Sequence, residues 1–307
     1  MATWRRCGRK WWLGTYRSLQ PKYGPGPGTA LHLGTLVHDA LAAYYDPELK
    51  TNPVEFLDAR LLKAIIEFPE QEEKFREETA LARIMLSGYL EWLDTEGVDG
   101  DLIIEGTERM IEIKLVDAKD GWGQINILTK LDAPTFRERD GAKMALEHKT
   151  TGSLAQNLSD LKLNTQFLTE HLCRFLDAID KGATSDEAYD QCHGILLNML
   201  RKVKRTAKAN PPFYGREDVP HNIHELRNHW KHVVAVARQI QTATARLDAG
   251  DDHHTVVPPN PTHDCSWDCP FNKICVMFDD GSDAEGALEA MYEEGDPLER
   301  YADVSAL

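Results

Sequence analysis

The sequence predicts an α/β protein with a mixed central sheet flanked by helices. Apolar residues recur at helical spacing in the first hundred residues and again from residue 163, whereas between residues 108 and 150 they alternate with the period of strands. The resulting order of helix, three strands, helix and strand is typical of an α/β core. A length of 307 residues, 42% of them hydrophobic, suits one large domain or one domain with substantial elaborations.

Local sequence patterns predict each helix and strand along the chain. A Pro- and Gly-rich loop at 21–29 precedes a helix at 30–45, and helices at 52–68 and 77–93 fall in a helical insertion at about 46–100. Strands are predicted at 108–116, 123–133 and 142–150, with turn-forming residues at 137–141 joining the last two. A helix at 163–179, a strand at 193–204, an extended piece at 211–219 and a long helix at 223–247 follow.

Neither a membrane span nor a secretory signal is predicted. No uninterrupted apolar stretch approaches about 18 residues, and the first residues, MATWRRCGRKWW, lack the apolar core of a signal peptide. We therefore expect a cytoplasmic protein. Its six cysteines should then stay reduced and serve as ligands or small buried residues rather than form disulfides.

The charge is unevenly distributed. A net charge of −15 argues against a nucleic-acid partner at first sight. However, residues 279–307 contain ten acids and one base, a net of −9, so residues 1–278 carry only −6. We expect residues 1–278 to form a single domain and 279–307 to form an acidic, flexible tail. A tail that competes with DNA for a binding site is the alternative.

Two basic stretches are interleaved with aromatic residues. They are WRRCGRKWWLGTYR at 4–17 and RKVKRTAKANPPFYGR at 201–216. A groove for single-stranded nucleic acid needs this mixture, because cations neutralise phosphates and rings stack on bases. A solvated face with a few packed aromatic residues explains the stretches equally well.

Two acids and a lysine lie where two predicted strands end. Asp132 ends the second strand, and Glu147 lies near the end of the third. If these strands form a hairpin, both carboxylates emerge side by side and suit Mg²⁺ or Mn²⁺. Lys149 is two residues beyond Glu147, so it points to the same face and is placed to orient or deprotonate a water. The alternative is a surface hairpin with a salt bridge.

Four further residues bear on this candidate site. The peptide carbonyl of His148 is a candidate metal ligand, whereas its side chain should face away from Glu147. His38, on the early helix, is an imidazole that suits a metal site, although a core histidine is the commoner case. Gln166 begins a helix face after the third strand, and Glu108 opens the first strand, most simply as an exposed acid.

Together these segments resemble the PD-(D/E)xK nuclease superfamily in its RecB-like branch. The segments are LGTLVHDAL, TKLDA, ALEHKTTG and NTQFLTEHL, and the resemblance covers about residues 1–278. It implies a restriction-endonuclease-like core in which Asp132 and Glu147 bind the catalytic metal and His38 adds a ligand. It also implies that Lys149 assists the water and that Gln166 contacts the substrate or the lysine. Thr129 and Glu170 depart from the pattern, where glycine and tyrosine are usual.

The cysteines suggest a second metal group. Cys265, Cys269 and Cys275 are clustered, and the nearest fourth candidate is Cys7. Four thiolates hold either Zn²⁺ or a 4Fe-4S cluster. The arrangement resembles the iron–sulfur RecB-like nucleases, which include the AddB-type and Cas-four type proteins. This resemblance implies a 4Fe-4S cluster that joins residues 1–20 to 263–278. Cys173 and Cys192 lie in apolar settings and are predicted bystanders.

These inferences lead to three functional hypotheses. The first is a Mg²⁺- or Mn²⁺-dependent DNA exonuclease, acting on single strands or DNA ends in recombination, repair or phage DNA metabolism. The second is a DNA-end-processing or CRISPR-adaptation-like assembly protein, with little activity alone and with partner proteins or further copies of itself. The third is an iron–sulfur electron carrier, which would have no use for Asp132, Glu147 and Lys149.

Overall fold

The computed structural model describes residues 1–22, 27, 29–117, 123–159, 161–266 and 268–298. The α-helices are α1 (Ala2–Arg6), α2 (Gly8–Trp11), α3 (Ala30–Tyr45), α4 (Pro53–Glu67), α5 (Glu72–Glu96), α6 (Leu154–Ser159), α7 (Thr165–Asp180), α8 (Ser185–Asp190), α9 (Ile223–Asp248), α10 (His253–Val256), α11 (Asn272–Cys275) and α12 (Ala284–Met291). The strands are β1 (Leu19–Pro21), β2 (Leu102–Ile104), β3 (Arg109–Asp117), β4 (Gly123–Leu131), β5 (Ala133–Arg137), β6 (Ala142–Thr151), β7 (Gly194–Arg201), β8 (Tyr214–Val219) and β9 (Tyr292–Glu294).

The chain divides into two compact units. Unit 1 comprises Met1–Gly24, Lys114–Asn126 and Asn228–Leu307, and unit 2 comprises Pro25–Ile113 and Ile127–Arg227. The predicted domain limits, with one domain over 1–278, stay a prediction.

A five-stranded mixed sheet forms the centre of unit 2. Its strand order is β2–β5–β6–β7–β8, in which β6 and β7 run parallel and the other neighbours run antiparallel. Strand β7 is buried over seven of its eight residues, as expected for a strand covered on both faces. The predicted α/β class with a mixed sheet and flanking helices is confirmed.

Helices α3, α4 and α5 cover one face of this sheet. Asn52 caps the start of α4 by accepting a hydrogen bond from the Val54 amide, and Pro53 occupies the first turn, where its missing N–H costs nothing. The shared core buries residues from α3, α5, β6 and β7; among them are Leu33, Val37, Leu41, Met85, Leu86, Tyr89, Met144, Leu146, Leu196 and Leu200. The helices predicted as an insertion therefore supply much of the core of unit 2.

The predicted hairpin between 123–133 and 142–150 is wrong. The segment 123–133 contains β4 and the start of β5, which are separated by Asp132. Strand β4 pairs with β3, whereas β5 pairs with β6 from Ala133 opposite Leu146 to Arg137 opposite Ala142. Pro134 makes β5 hard to recognise, because proline is uncommon inside strands.

Unit 1 has a core of its own that includes part of the acidic tail. Leu288 of α12 and Tyr292 of β9 are buried with Trp11 and Trp12 of the N-terminal segment. Strand β9 also pairs antiparallel with β1. The expected flexible tail is therefore folded over 284–294, because apolar residues among its acids reach this core. Residues 299–307 lie outside the described residues.

Many cations of the two basic stretches are paired within their own unit. In unit 1, Arg9 contacts Asp279 at 2.6 Å and Arg17 contacts Glu285 at 2.8 Å. In unit 2, the Arg216 side chain is only 7% exposed and pairs with Asp99. These contacts favour packed aromatic residues and internal ion pairs over an open groove at these positions.

Within the residues that the structure describes, no helix is long and apolar enough to cross a membrane.

Candidate active site

Asp132 and Glu147 meet where β5 and β6 stop pairing. The last pair of the ladder joins Ala133 to Leu146, so Asp132 and Glu147 are the next residues at its open end. The Asp132 amide donates a hydrogen bond to Glu147 Oε1 at 3.2 Å, and the His148 amide donates one to Asp132 Oδ2 at 2.8 Å. The two predicted carboxylates are therefore adjacent, although β5 rather than the predicted hairpin brings them together.

His38 reaches the same place from α3. Leu33, Val37 and Leu41 anchor this helix in the core of unit 2, and His38 Nδ1 lies 3.4 Å from Asp132 Oδ2. The His38 side chain is 31% exposed and the Asp132 side chain is 16% exposed. The imidazole and the carboxylate thus adjoin at a partly open edge of the sheet.

The pKa values of Asp132 and Glu147 shift in opposite directions. Burial alone would raise the pKa of Asp132, but the hydrogen bond and charge of His38, together with His148, lower it to about 2. Burial and the charges of Asp132 and Glu170 raise the pKa of Glu147 well above its usual value. Glu147 is only 2% exposed. Ionisation of both carboxyl groups would therefore concentrate negative charge that the surrounding residues do not fully compensate.

A hydrogen-bonded chain runs from Lys149 to a third carboxylate. Lys149 Nζ donates to Gln166 Oε1 at 2.9 Å, and Gln166 Nε2 donates to Glu170 Oε1 at 2.8 Å. Glu170 is 2% exposed, and its Oε2 has no hydrogen-bond partner among the described residues. Burial, with a contribution from Asp132, raises the pKa of Glu170 to about 8. Gln166 thus contacts Lys149, and its role in catalysis stays a prediction.

The side chain of His148 lies on the other face of β6 from Glu147 and Lys149. It stacks on Tyr45 at 5.4 Å, and Asn198 Nδ2 is 2.9 Å from His148 Nδ1. Burial lowers the pKa of His148 to about 3, so the ring is neutral. The N–H and C=O of a strand residue point to the same side, which directs the His148 carbonyl towards Asp132. Its predicted role as a ligand stays a prediction.

Glu108 is adjacent to Asp132 but is already paired. Its amide donates a hydrogen bond to the Asp132 carbonyl at 2.8 Å, and its carboxylate forms an ion pair with Lys130. Burial raises the pKa of Glu108 despite this lysine. Glu108 is thus partly buried rather than an exposed acid at the start of a strand.

Sequence reasoning missed two contributors to this region. Glu170 was noted only as a departure from a motif, although its position one turn after Gln166 was a visible signal. Asn198 was not singled out; it bonds His148 and accepts a hydrogen bond from Arg216 at 3.3 Å. No local signal identifies Asn198, since the contact depends on the pairing of β6 with β7 and β8.

The four predicted cysteine ligands lie together in unit 1. Cys7, Cys265, Cys269 and Cys275 line one cavity of about 300 Å³. The amides of Lys10 and Asn260 donate to Cys7 Sγ at 3.5 and 3.4 Å, and the Thr262 amide donates to Cys265 Sγ at 3.3 Å. Backbone donors of this kind stabilise thiolate ligands. In unit 2, Cys173 and Cys192 are buried, and burial raises the pKa of each thiol.

A family model described as the PD-(D/E)XK nuclease superfamily matches residues 1–276. The chain belongs to this superfamily. No curated protein matches it. Members of the PD-(D/E)XK superfamily are generally nucleases and typically use divalent metals such as Mg²⁺ or Mn²⁺. The superfamily predicted from the motifs is confirmed, whereas the RecB-like iron–sulfur branch stays a prediction.

The donors in the candidate site of this PD-(D/E)XK protein fit a divalent cation. Asp132 and Glu147 offer hard oxygens, His38 offers an imidazole, and the unpartnered Glu170 Oε2 adds a buried oxygen. Within the described residues, no three of these donors all lie within 4.8 Å of one another. Ligands bind Mg²⁺ at about 2.1 Å, so the donors would have to draw together around a cation.

One other group of possible metal ligands is more closely spaced, but a helix cap explains its spacing. Ligand atoms of Asp252, His253 and His254 all lie within 4.8 Å of one another. Asp252 caps α10 by accepting from the His254 amide at 2.9 Å, and the His253 ring stacks on Trp12 at 4.2 Å. The capping turn therefore accounts for their closeness.

Proposed function

We propose that the chain is a Mg²⁺- or Mn²⁺-dependent DNA exonuclease of the RecB-like branch. The observation that carries the proposal is the meeting of the Asp132 and Glu147 carboxylates beside His38. Lys149 lies on the same face of β6 as Glu147, and its charge acts on the Glu147 carboxyl group. Uncompensated buried carboxylates are what a site for a divalent cation requires, because the cation supplies the missing positive charge.

The proposed roles follow from these positions. Asp132, Glu147 and His38 would hold the cation, with the His148 carbonyl as a further ligand. A divalent cation at this site would stabilise the charge that develops on the phosphodiester during hydrolysis. Lys149, held by Gln166 at 2.9 Å, is placed to orient the attacking water or to accept its proton.

The substrate is inferred from the resemblance to RecB-like exonucleases. These enzymes commonly degrade DNA from its ends, often as single strands, and serve recombination and repair. We extend this preference, and a role in recombination, repair or phage DNA metabolism, to the present chain. Because Arg9, Arg17 and Arg216 of the two basic stretches are paired internally, other cations would have to contact the strand.

The test is a cleavage assay on labelled DNA. Single- and double-stranded oligonucleotides labelled at either end are incubated with anaerobically purified protein and Mn²⁺. We expect nucleotides to be released from ends by the wild type, and Glu147→Gln to reduce the rate by roughly a hundredfold or more. Glu138→Gln is the matched control, because Glu138 is exposed in the turn between β5 and β6.

A second measurement separates metal binding from chemistry. Calorimetric titration with Mn²⁺ should show weaker binding for Glu147→Gln but not for Glu138→Gln, because only Glu147 is a proposed ligand. Lys149→Met should retain Mn²⁺ binding while losing cleavage. If the wild type leaves every DNA intact with Mg²⁺ and with Mn²⁺, the exonuclease proposal fails and the assembly-protein hypothesis gains support.

We further propose that Cys7, Cys265, Cys269 and Cys275 hold a 4Fe-4S cluster. All four sulfurs line one cavity, and no three of them lie within 4.8 Å of one another. A tetrahedral zinc site with Zn–S bonds of about 2.3 Å needs sulfurs about 3.8 Å apart. Either metal group would require the sulfurs to adjust around it, and the resemblance to the iron–sulfur RecB-like nucleases selects the cluster.

Absorption spectroscopy and metal analysis test the cluster. Anaerobically purified protein should be brown, with a broad band near ~400 nm and close to four irons per chain, as expected for a 4Fe-4S cluster. Cys7→Ala should lose the band, whereas Cys173→Ala should keep it, since Cys173 is buried in unit 2. A colourless protein containing zinc would refute the proposal.

A further inference from the structure

Besides the cysteine-lined cavity of unit 1, a polar cavity of about 400 Å³ lies in unit 2. It is bounded by β3, the end of β4, the start of β6, the second half of α7, and α8. Four cations line it, namely Arg109, Lys143, Arg174 and Lys181. Three acids, Glu105, Asp177 and Glu187, also line it. Neither the superfamily match nor the candidate catalytic residues assign a role to this cavity.

Arg174 is the residue whose surroundings indicate a bound ligand. The side chain is only 9% exposed, and within the described part of the chain it forms no ion pair. Its hydrogen bond to the Gly194 carbonyl is long, at 3.4 Å. Burial lowers the pKa of its guanidinium group, although the charges of Glu105 and Glu147 oppose this shift. Buried charges are normally paired, because an unpaired one loses its hydration without compensation.

Two of the three acids in the cavity are already engaged. Asp177 accepts from Lys181 at 2.7 Å and lies 3.5 Å from Arg109, so one carboxylate serves two cations. Glu187 accepts hydrogen bonds from the amide and hydroxyl of Thr184 in a capping box. The third, Glu105, is exposed. The charge of Glu105 acts on Arg174, but within the described residues none of the three acids forms an ion pair with it.

Lys143 adds a second available cation. It is half-buried and forms no ion pair with any residue that the structure describes. Lys143 and Arg174 thus line the same cavity, and both lack a carboxylate partner. A pair of unpaired cations in a polar cavity is suited to an oxyanion, which a guanidinium group binds through parallel hydrogen bonds.

The cavity lies on the same side of the sheet as the candidate active site. Lys143 and Glu147 lie on the same face of β6, and four residues of a strand span about 13 Å. Arg174 follows Glu170 by one turn of α7, a rise of about 6 Å. An anion in the cavity would therefore lie on the side of the sheet where Glu147 and Lys149 point.

We propose that this cavity binds a phosphate group through Arg174 and Lys143. The volume exceeds that of phosphate alone, so the bound group is a terminal phosphate of a DNA strand or the phosphate of a released mononucleotide. The choice of phosphate as the ligand rests on the proposed nuclease function, whereas the existence of an anion site does not. Arg109 and Lys181 would contribute less, because Asp177 already engages both.

Calorimetry with inorganic phosphate tests the site. Metal-free protein is titrated in chloride buffer with EDTA, so that no cation binds phosphate in the catalytic site. We expect saturable binding to the wild type, and Lys143→Ala should raise the Kd at least about fivefold, as loss of one charge-assisted hydrogen bond would. Lys63→Ala is the matched control, because Lys63 is an exposed lysine on α4 in the same unit, and its Kd should equal that of the wild type.

Arg174→Met should abolish phosphate binding, and if this variant fails to fold, Lys143→Ala remains decisive. Absence of saturable binding to the wild type, or an unchanged Kd in Lys143→Ala, overturns the proposal. Glu147→Gln should keep phosphate binding while losing cleavage, so failure of this site and failure of the nuclease proposal can be distinguished.

Further titrations identify the source of the phosphate. A mononucleotide that binds more tightly than inorganic phosphate would identify a product site. Tighter binding of an oligonucleotide with a 5′- or 3′-phosphate, relative to the unphosphorylated strand, would identify an anchor for that DNA end. Each preference should be lost in Lys143→Ala, and a preference that persists in this variant would overturn the assignment to this cavity.

Discussion

Glu170 determines which atom of the Gln166 side-chain amide contacts Lys149. A side-chain amide can hydrogen-bond in two orientations, because its oxygen accepts and its nitrogen donates. Glu170 Oε1 accepts a hydrogen bond from the Gln166 NH₂ group, which leaves the Gln166 oxygen to accept from the Lys149 ammonium group. Glu170 therefore fixes the orientation of the Gln166 amide that contacts Lys149.

This arrangement predicts a stability that falls as the pH rises. The pKa of Glu170 is about 8 in the folded protein, compared with an ordinary value of 4.5. Between these values the unfolded chain is ionised while the folded chain keeps the proton, so the free energy of unfolding decreases through this range. One such group lowers it by up to about 1.4 kcal/mol per pH unit. Glu170→Gln should remove this contribution.

Chemical denaturation of metal-free protein at pH 5 and pH 8 measures the effect. We expect Glu170→Gln to be more stable than the wild type at pH 8 and to lose less stability between the two pH values. Glu138→Gln, an exposed substitution in unit 2, should follow the wild type. A variant with the same pH dependence as the wild type would contradict the assigned protonation of Glu170.

At the scale of elements, Gly194 controls the start of β7. Its φ of +119° is rarely adopted by other residues, and a Cβ atom there would lie 2.4 Å from the Val219 carbonyl oxygen of β8. Gly182 has a φ of +96° but open space where a Cβ atom would lie. A side chain at Gly182 would therefore strain the backbone alone, whereas a side chain at Gly194 would also clash with β8.

Alanine substitution at both glycines exploits this difference. Gly182→Ala should lower the free energy of unfolding by about 1 kcal/mol, the cost of an unfavourable φ. Gly194→Ala should lower it by about 3 kcal/mol or more, since β8 must also move away from β7. Urea denaturation measures both values. Equal losses would show that β8 adjusts freely to the added methyl group.

Most elements could be predicted from sequence, because their periodicity is local. The helices α3, α4, α5, α7 and α9, and the strands β3, β6 and β7, lie within a few residues of their predicted ranges. The pairing of strands could not be predicted in the same way, because each strand offers hydrogen bonds to two neighbours. The short strands β1, β2 and β9 carry too few residues for a pattern to show.

The candidate site follows the same division. The positions of Asp132, Glu147 and Lys149 at strand ends could be predicted, and the closeness of the two carboxylates was expected from a hairpin whose first strand is β5 rather than 123–133. The burial of Glu170 was not readable, because a glutamate on an amphipathic helix is usually exposed. The phosphate cavity was not predicted either, since Arg174 and Lys143 are unremarkable in sequence and become informative only through missing partners.

At the scale of the whole molecule, the proposed cluster should stabilise one unit more than the other. All four cysteines belong to unit 1, and the cluster would tie Cys7 to a segment more than 250 residues away. Closing a loop of that length is worth about 4–5 kcal/mol by analogy with a disulfide. Loss of the cluster should therefore loosen unit 1 selectively.

Hydrogen exchange measures this selectivity. In Cys275→Ala, amides of β1, α9 and α12 should exchange faster than in the wild type, whereas those of β6 and β7 should keep their protection. Cys173→Ala, a substitution in unit 2, should leave the exchange of unit 1 unchanged. Equal loss of protection in both units on removal of Cys275 would show that they unfold together.

The pairing of β1 with β9 has a consequence for protein synthesis. Gln20 lies opposite Glu293, so the first strand of unit 1 has no partner until the last strand leaves the ribosome. At about 5–20 residues per second this delay is on the order of tens of seconds. Unit 2 ends at Arg227 and is complete earlier. During the interval the tryptophans and arginines around Cys7 lack the acids and apolar residues that later cover them.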